Sequence, residues 1–265
     1  MQNLHCTIIQ TSLYWEDKAA NLEMLGKKIN AIHEETHIII LPEMFSTGFS
    51  MKPETLSESM VGGTVAWMKD IAKNRKVILT GSLMIKENDQ YYNRLLWVLP
   101  NGEIGFYDKR HLFGYGKEDE HYARGNKRMI VSVNGWKINL QVCYDLRFPV
   151  WARQNIDQNS REAEYDLLMY VANWPEKRSH AWKSLLVARA IENQCYVIGV
   201  NRVGNDGNEI YHSGNSMAIG PLGEILFEKA HDECVQTIIF NKSKLEEIRN
   251  QFPFLRDADN FTISK

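Results

Sequence analysis

Leu-Gln-Val-Cys-Tyr-Asp-Leu-Arg-Phe-Pro-Val-Trp, residues 140–151, decides how the rest of the chain is read. A strand-like run from Trp136 to Val142 ends directly on Cys143. Asp145, Arg147 and Pro149 then turn the chain out of the sheet, and Pro149 biases Phe148 away from helical angles. A thiol at the carboxyl end of a buried strand is rigidly aimed and can reach a cleft. Taken alone, the stretch favours the ordinary fate of a free cysteine, a small buried hydrophobe. The alternative is a nucleophile, which needs a base and an oxyanion stabiliser close by.

The surrounding composition is that of a globular protein: 265 residues, 44% apolar and 24% charged. No Gly/Ser-rich, Pro-rich or single-sign charged tract marks a linker, so one domain over residues 1–265 is expected. A formal charge of −2 gives no general nucleic-acid surface. No apolar run approaches the roughly 20 residues of a membrane span. The first residues run into a strand pattern rather than a signal peptide. Cys6, Cys143, Cys195 and Cys234 are scattered without a CxxC or a disulfide framework, which fits a reducing cytoplasm. The histidines form no HxH or HExxH pair, so no metal and no cofactor is expected.

Periodicity supplies the architecture. Strands are predicted over Leu4–Gln10, His37–Leu41 and Val77–Leu83. Helices are predicted between them over residues 17–33, with Leu22, Leu25, Ile29 and Ile32 on one face, and over residues 61–76, with Val61, Val65, Met68 and Ala72 on one face. Hairpins follow: Arg94–Leu99 with Glu103–Tyr107 about Pro100-Asn101-Gly102, and Met129–Val133 with Trp136–Val142 about Asn134-Gly135. Tyr165–Ala172 and Cys195–Val200 read as buried strands around a helix at Ser179–Asn193. Ser216–Ile219, Glu224–Glu228 and Val235–Phe240 close the sheet, and a charged helix at Asn241–Asn250 precedes an extended tail. Helix-linked strands at both ends with hairpins between them suit an α/β fold of two mixed sheets flanked by helices, a four-layer α-β-β-α sandwich.

Three polar residues stand at strand ends: Glu43, Lys109 and Cys143. Such ends gather into one crevice in open α/β sheets. Glu43 can take and return a proton, Lys109 can favour a thiolate and stabilise an oxyanion, and the Tyr144 N–H can be a second oxyanion donor. Singly, each has an ordinary reading: a cap, a solvated charge beside Arg110, a core cysteine.

Leu-Pro-Glu-Met-Phe (41–45), Tyr-Asp-Lys-Arg-His-Leu-Phe (107–113) and Val-Cys-Tyr-Asp-Leu-Arg-Phe-Pro (142–149) resemble, in order, the three signature blocks of the nitrilase superfamily of carbon–nitrogen hydrolases. The resemblance covers nearly the whole chain. It implies the α-β-β-α sandwich, Glu43 as general base, Lys109 as the catalytic lysine, Cys143 as nucleophile, and subunits that pair as a homodimer or higher homo-oligomer. It also implies a second glutamate seven residues before a glycine; with Gly125 as that glycine this is Glu118, with Glu120 as the alternative register. Ala-Asn-Trp-Pro (172–175), residues 188–194 and residues 201–208 resemble the YafV-like ω-amidase branch. That implies hydrolysis of the terminal amide of 2-oxoglutaramate or 2-oxosuccinamate through a Cys143 thioester.

Phe45, Tyr144 and Trp174 are candidate pocket walls for this small-molecule amide, though aromatics more often pack in a core. Arg147 could meet a distal carboxylate, but a structural ion pair with Asp145 is preferred. His180 reads as a surface residue at a helix start. Other readings stay open. One is another amidase or carbamoylase on the same scaffold. Another is a non-catalytic binding protein. A papain-like Cys–His pair would need a histidine beside Cys143, and only His111 lies in a signature block.

Overall fold

The structure, a computed structural model, describes residues 3–156, 162–259 and 261–263. In chain order its first half holds β1 (Leu4–Gln10), α1 (Lys18–Asn30), β2 (Ile38–Ile40), α2 (Pro53–Leu56), α3 (Gly63–Arg75), β3 (Ile78–Glu87), β4 (Gln90–Val98), β5 (Ile104–Asp108), α4 (Glu118–His121), β6 (Met129–Val133) and β7 (Trp136–Val142). There follow α5 (Pro149–Ala152), β8 (Leu167–Ala172), α6 (Ser179–Asn193), β9 (Tyr196–Asn201), β10 (Val203–Asn205), β11 (Tyr211–Ile219), β12 (Ile225–Ala230), β13 (Cys234–Phe240) and α7 (Lys242–Gln251).

Two mixed sheets result. One runs β13-β1-β2-β3-β4-β5, the other β10-β11-β9-β8-β7-β6, with β12 on the free side of β11. Each has a parallel triplet at its heart, β1-β2-β3 and β7-β8-β9, with antiparallel neighbours outside it. The isoleucine run explains the layering. Alternate residues of a strand face opposite sides, so Ile38 and Ile40 enter the core between the sheets while Ile39 and Leu41 pack beneath α1 and α3 with Leu25, Ile29, Val65 and Met68. Each such side chain contributes about 1.5–3 kcal/mol on burial. On the other sheet α6 lies directly on Gly199, where a Cβ would come within 2.7 Å of Leu186. The layers are therefore helix, sheet, sheet, helix, as expected.

Four details differ from the sequence expectation. Val61 is 90% exposed, because α3 starts at Gly63 and the Glu58 carboxylate caps it by accepting from the Thr64 and Val65 amides. The strand begun at Ile78 continues to Glu87 and turns back through Asn88 and Asp89, both at positive φ, into β4. That makes a hairpin of the primed type, closed by an Asn-Asp pair rather than the expected glycine. β11 begins at Tyr211, five residues earlier than read, and pairs with the short β10. Beyond α7 the chain is not simply extended: a 3-10 turn at Phe254–Asp257 is held because Leu255 is buried and its amide donates to Gln194 Oε1.

Candidate active site

The carboxyl ends of β2, β5, β7 and β8 converge at one end of the inter-sheet core. Glu43 follows β2 in a tight turn in which Met44 has φ 44° and its amide donates to Ser82 Oγ. Lys109 follows β5, its amide donating to the Asn93 carbonyl at 3.0 Å. Cys143 ends β7 at φ 44°, in the left-handed region that costs a non-glycine residue about 1 kcal/mol or more. Asp145 holds this strand-to-turn elbow shut. Its fully buried carboxylate accepts from the Val142 amide (3.0 Å), the Tyr107 hydroxyl (2.8 Å), the His111 amide (3.0 Å) and His111 Nδ1 (2.8 Å). The elbow is thereby tied to the loop that carries Lys109.

Glu43, Lys109 and Glu118 form a dry ionic cluster with side chains 0% exposed. Lys109 Nζ lies 2.8 Å from Glu43 Oε1 and 3.0 and 2.8 Å from Glu118 Oε1 and Oε2. The Asn93 amide donates to Glu43 Oε1 (2.8 Å) and Glu118 Oε1 (3.1 Å). Glu43 Oε2 accepts from the Asn173 amide at 2.8 Å, and Glu118 Oε2 from the Phe113 amide at 2.6 Å. The Asn173 carbonyl stands 4.0 Å from Cys143 Sγ. Glu118 is in the cluster, while Glu120 is a surface residue beside Lys117.

Burial and the Glu43 carboxylate push the Cys143 thiol well above the usual range, and Lys109 opposes them without prevailing. Burial penalises the Lys109 ammonium, but Glu118 and Glu43 outweigh it and hold the charge. Burial raises Glu118, with Lys109 pulling the other way. Glu43 is the carboxylate that lies against the thiol.

A cavity of about 610 Å³ opens above Cys143 and Lys109. Tyr144 and Trp174 line it, as expected; Phe45 does not. Phe45 is fully buried under α3, 6.1 Å from the Trp67 ring and against Gly81. Its place in the wall is taken by Phe49, whose ring sits 5.2 Å from Lys109 Nζ. Arg147 makes no ion pair with Asp145, whose oxygens are already taken; its guanidinium lies 5.0 Å over the Trp174 ring and lines the cavity. Arg178 does the same over Phe113, at 5.1 Å. Loop residues 206–208 form the opposite wall against Trp15, a packing that requires Gly207, since a Cβ there would be 2.3 Å from the indole. His180 is exposed at the start of α6. His111 is held by Asp145 and stacked on Phe148 at 3.8 Å, which removes it from the role of a Cys–His base.

Asn93, Phe49 and Arg178 were not among the residues read from the sequence, and Asn173 and Phe113 stood in quoted blocks without an assigned role. Asn93 and Asn173 carried a signal: each is a polar residue bordering an apolar strand run, where an unpaired amide would be costly. The aromatics and Arg178 carried none.

A family model described as carbon-nitrogen hydrolase matches residues 6–250. The chain is 43% identical to omega-amidase YafV of Escherichia coli K12 over 99% of its length and 100% of that protein's. It is 30% identical to 2-oxoglutaramate amidase of Bacillus subtilis, covering 94% of this chain and 95% of that one. A Xanthomonas campestris CN-hydrolase superfamily protein, solved with an arsenic adduct in its active site, superposes with a TM-score of 0.97 at 42% identity, covering 100% of both chains. With the sandwich, the four strand ends and these matches together, the chain belongs to the carbon–nitrogen hydrolase family.

Proposed function

We propose that this protein is an ω-amidase that hydrolyses the terminal amide of 2-oxoglutaramate or 2-oxosuccinamate to the dicarboxylate and ammonia. The observation that carries the reading is the dry Glu43–Lys109–Glu118 cluster beside Cys143, at the floor of a cavity whose wall holds two aromatic-stacked arginines. A substrate with a carboxylate distal to its amide suits such a cavity: guanidinium groups match carboxylates bidentately. The omega-amidase and 2-oxoglutaramate amidase names of the relatives point the same way.

The cycle follows from the charges. Glu43 takes the thiol proton as Sγ attacks the amide carbon. All three Lys109 N–H groups are engaged by carboxylates at rest. Protonating Glu43 weakens its hold on Nζ, so one N–H turns to the new oxyanion together with the Tyr144 N–H. The C–N bond breaks, Glu43 gives its proton to departing ammonia, and the acyl group remains as a thioester on Cys143. Glu43 then takes a proton from water, hydroxide oxygen attacks the thioester carbon, and the proton returns to the Cys143 sulfur. Glu118 keeps Lys109 charged and oriented throughout. Within this reading the protein is a cytoplasmic homo-oligomer, at least a dimer.

The test is ammonia release from 2-oxoglutaramate, with glutamine, asparagine and an N-carbamoyl amino acid as controls, for wild type and Cys143→Ala. Release from the keto-amide alone, lost in the variant, is expected. Turnover only of a control would discard the substrate and keep the mechanism.

A further inference from the structure

Asn93 grips both ends of Lys109. Its backbone carbonyl accepts the Lys109 amide at 3.0 Å. Its side-chain amide donates to the two carboxylates that hold the ammonium, Glu43 Oε1 at 2.8 Å and Glu118 Oε1 at 3.1 Å. Those two oxygens also accept from Lys109 Nζ. Nζ, Oε1 of Glu43, Nδ2 of Asn93 and Oε1 of Glu118 thus close a ring in which donors and acceptors alternate. The amide's orientation is dictated by chemistry, because Oδ1 in that position would face two carboxylates.

The charge count explains why a neutral donor is needed. Two carboxylates and one ammonium, all unexposed, leave one net negative charge in a dry site. A second cation would cancel it and weaken the base. An amide supplies two more hydrogen bonds and no charge. The orientation has a cost: Asn93 Oδ1 is buried and has no hydrogen-bond partner among the described residues. A residue chosen for packing alone would not leave an acceptor stranded.

We propose that Asn93 is a positioning residue that clamps Glu43 and Glu118 on Lys109 and holds Glu43 in its proton-accepting form against Cys143. Donation to a carboxylate favours its ionised form, so the amide keeps the base available at lower pH. The other titratable groups facing the two carboxylates are Lys109 after β5, Cys143 after β7 and Tyr122 after α4. The inference rests on the amide-hydrolase reading of the site, but its test does not need a substrate.

The test is the pH dependence of Cys143 alkylation by iodoacetamide, followed by mass spectrometry of the Cys143 peptide, in wild type, Asn93→Ser, Asn93→Ala and Asn93→Asp. Melting temperatures are measured in parallel. Loss of the donor raises the carboxylate's proton affinity, so the acid limb moves up by about one pH unit in Asn93→Ala. Asn93→Ser, with one donor, moves it less and serves if the alanine variant does not fold. Asn93→Asp adds a third carboxylate and moves it furthest. The kcat for any amide the wild type turns over falls in the same order, by roughly tenfold or more for alanine, with KM little changed. An acid limb that coincides with wild type in the folded variants, whatever their melting temperatures, overturns the proposal. A wild type inactive on every amide would sink the ω-amidase reading and leave the alkylation result to decide this one.

Discussion

The floor and the wall of the cavity are built on opposite plans. At the floor, Glu43, Lys109, Cys143 and Asn173 each stand at a strand end, and backbone amides of Asn173 and Phe113 aim the two carboxylates. Much of the wall comes from outside the strands: Trp15, Phe49, Tyr115 and residues 206–208, with Tyr115 89% exposed. The sheets fix the floor in place, whereas the wall is shaped by aromatic stacking and a glycine pressed on an indole. In the proposed function, chemistry that needs ångström placement sits on the rigid part, and the fit to the rest of a substrate is left to the loops.

Substitutions at the two places should therefore fail differently. Cys143→Ala is expected to lower kcat by about ten-thousand-fold or more without loss of fold, measured as ammonia release beside circular dichroism; substantial residual turnover would break the assignment of the floor. Lys109→Met leaves two buried carboxylates facing each other and should cost roughly 3–5 kcal/mol in urea unfolding as well as activity. A variant as stable as wild type would mean that the cluster is wetter than its geometry.

His212, in the wall, gives a pH prediction. Burial, assisted by Arg202, lowers it to about 4. The unfolded chain, near 6.5, binds the proton more tightly than the fold. The stability is thus fully present above about pH 6.5 and is lost as pH falls toward 4, by up to about 3 kcal/mol. Denaturation midpoints of wild type and His212→Gln between pH 7 and 4 should converge as the pH drops; parallel curves would rule this out. The smallest effect is expected for Arg147→Lys, which keeps the charge and loses the planar fork: KM for the keto-amide should rise about tenfold with kcat nearly unchanged. A fall in kcat at constant KM would move Arg147 from wall to floor.

The same division governs what could be read from the sequence. Ile38–Ile40, the Asn134-Gly135 turn and the run ending at Cys143 announce themselves, since burial on both faces and turn chemistry are local properties. The floor is legible because its residues follow such strands directly. Phe45 and Phe49 show the opposite case. Both are aromatic, four residues apart after β2, yet one packs under α3 and the other faces Lys109. Which is which depends on how residues 44–50 turn, and Met44 at positive φ sets that turn without any mark in the sequence. Arg147 misled for a related reason. Nearness to Asp145 along the chain suggested a pair, while residues far away in sequence, Tyr107 and His111, had already filled its oxygens.

The pairing of β1 with β13 has a consequence for how the protein comes into being. Leu4 is registered against Phe240, so the first sheet gains its outer strand only after residue 240 has been synthesised. Glu43 and Cys143 follow strands of different sheets, which must dock before the two side chains meet. Contacts so distant along the chain form late, after a large loss of chain entropy. A chain in which either sheet is missing holds Glu43 and Cys143 apart, so the proposed hydrolysis has to wait for both sheets.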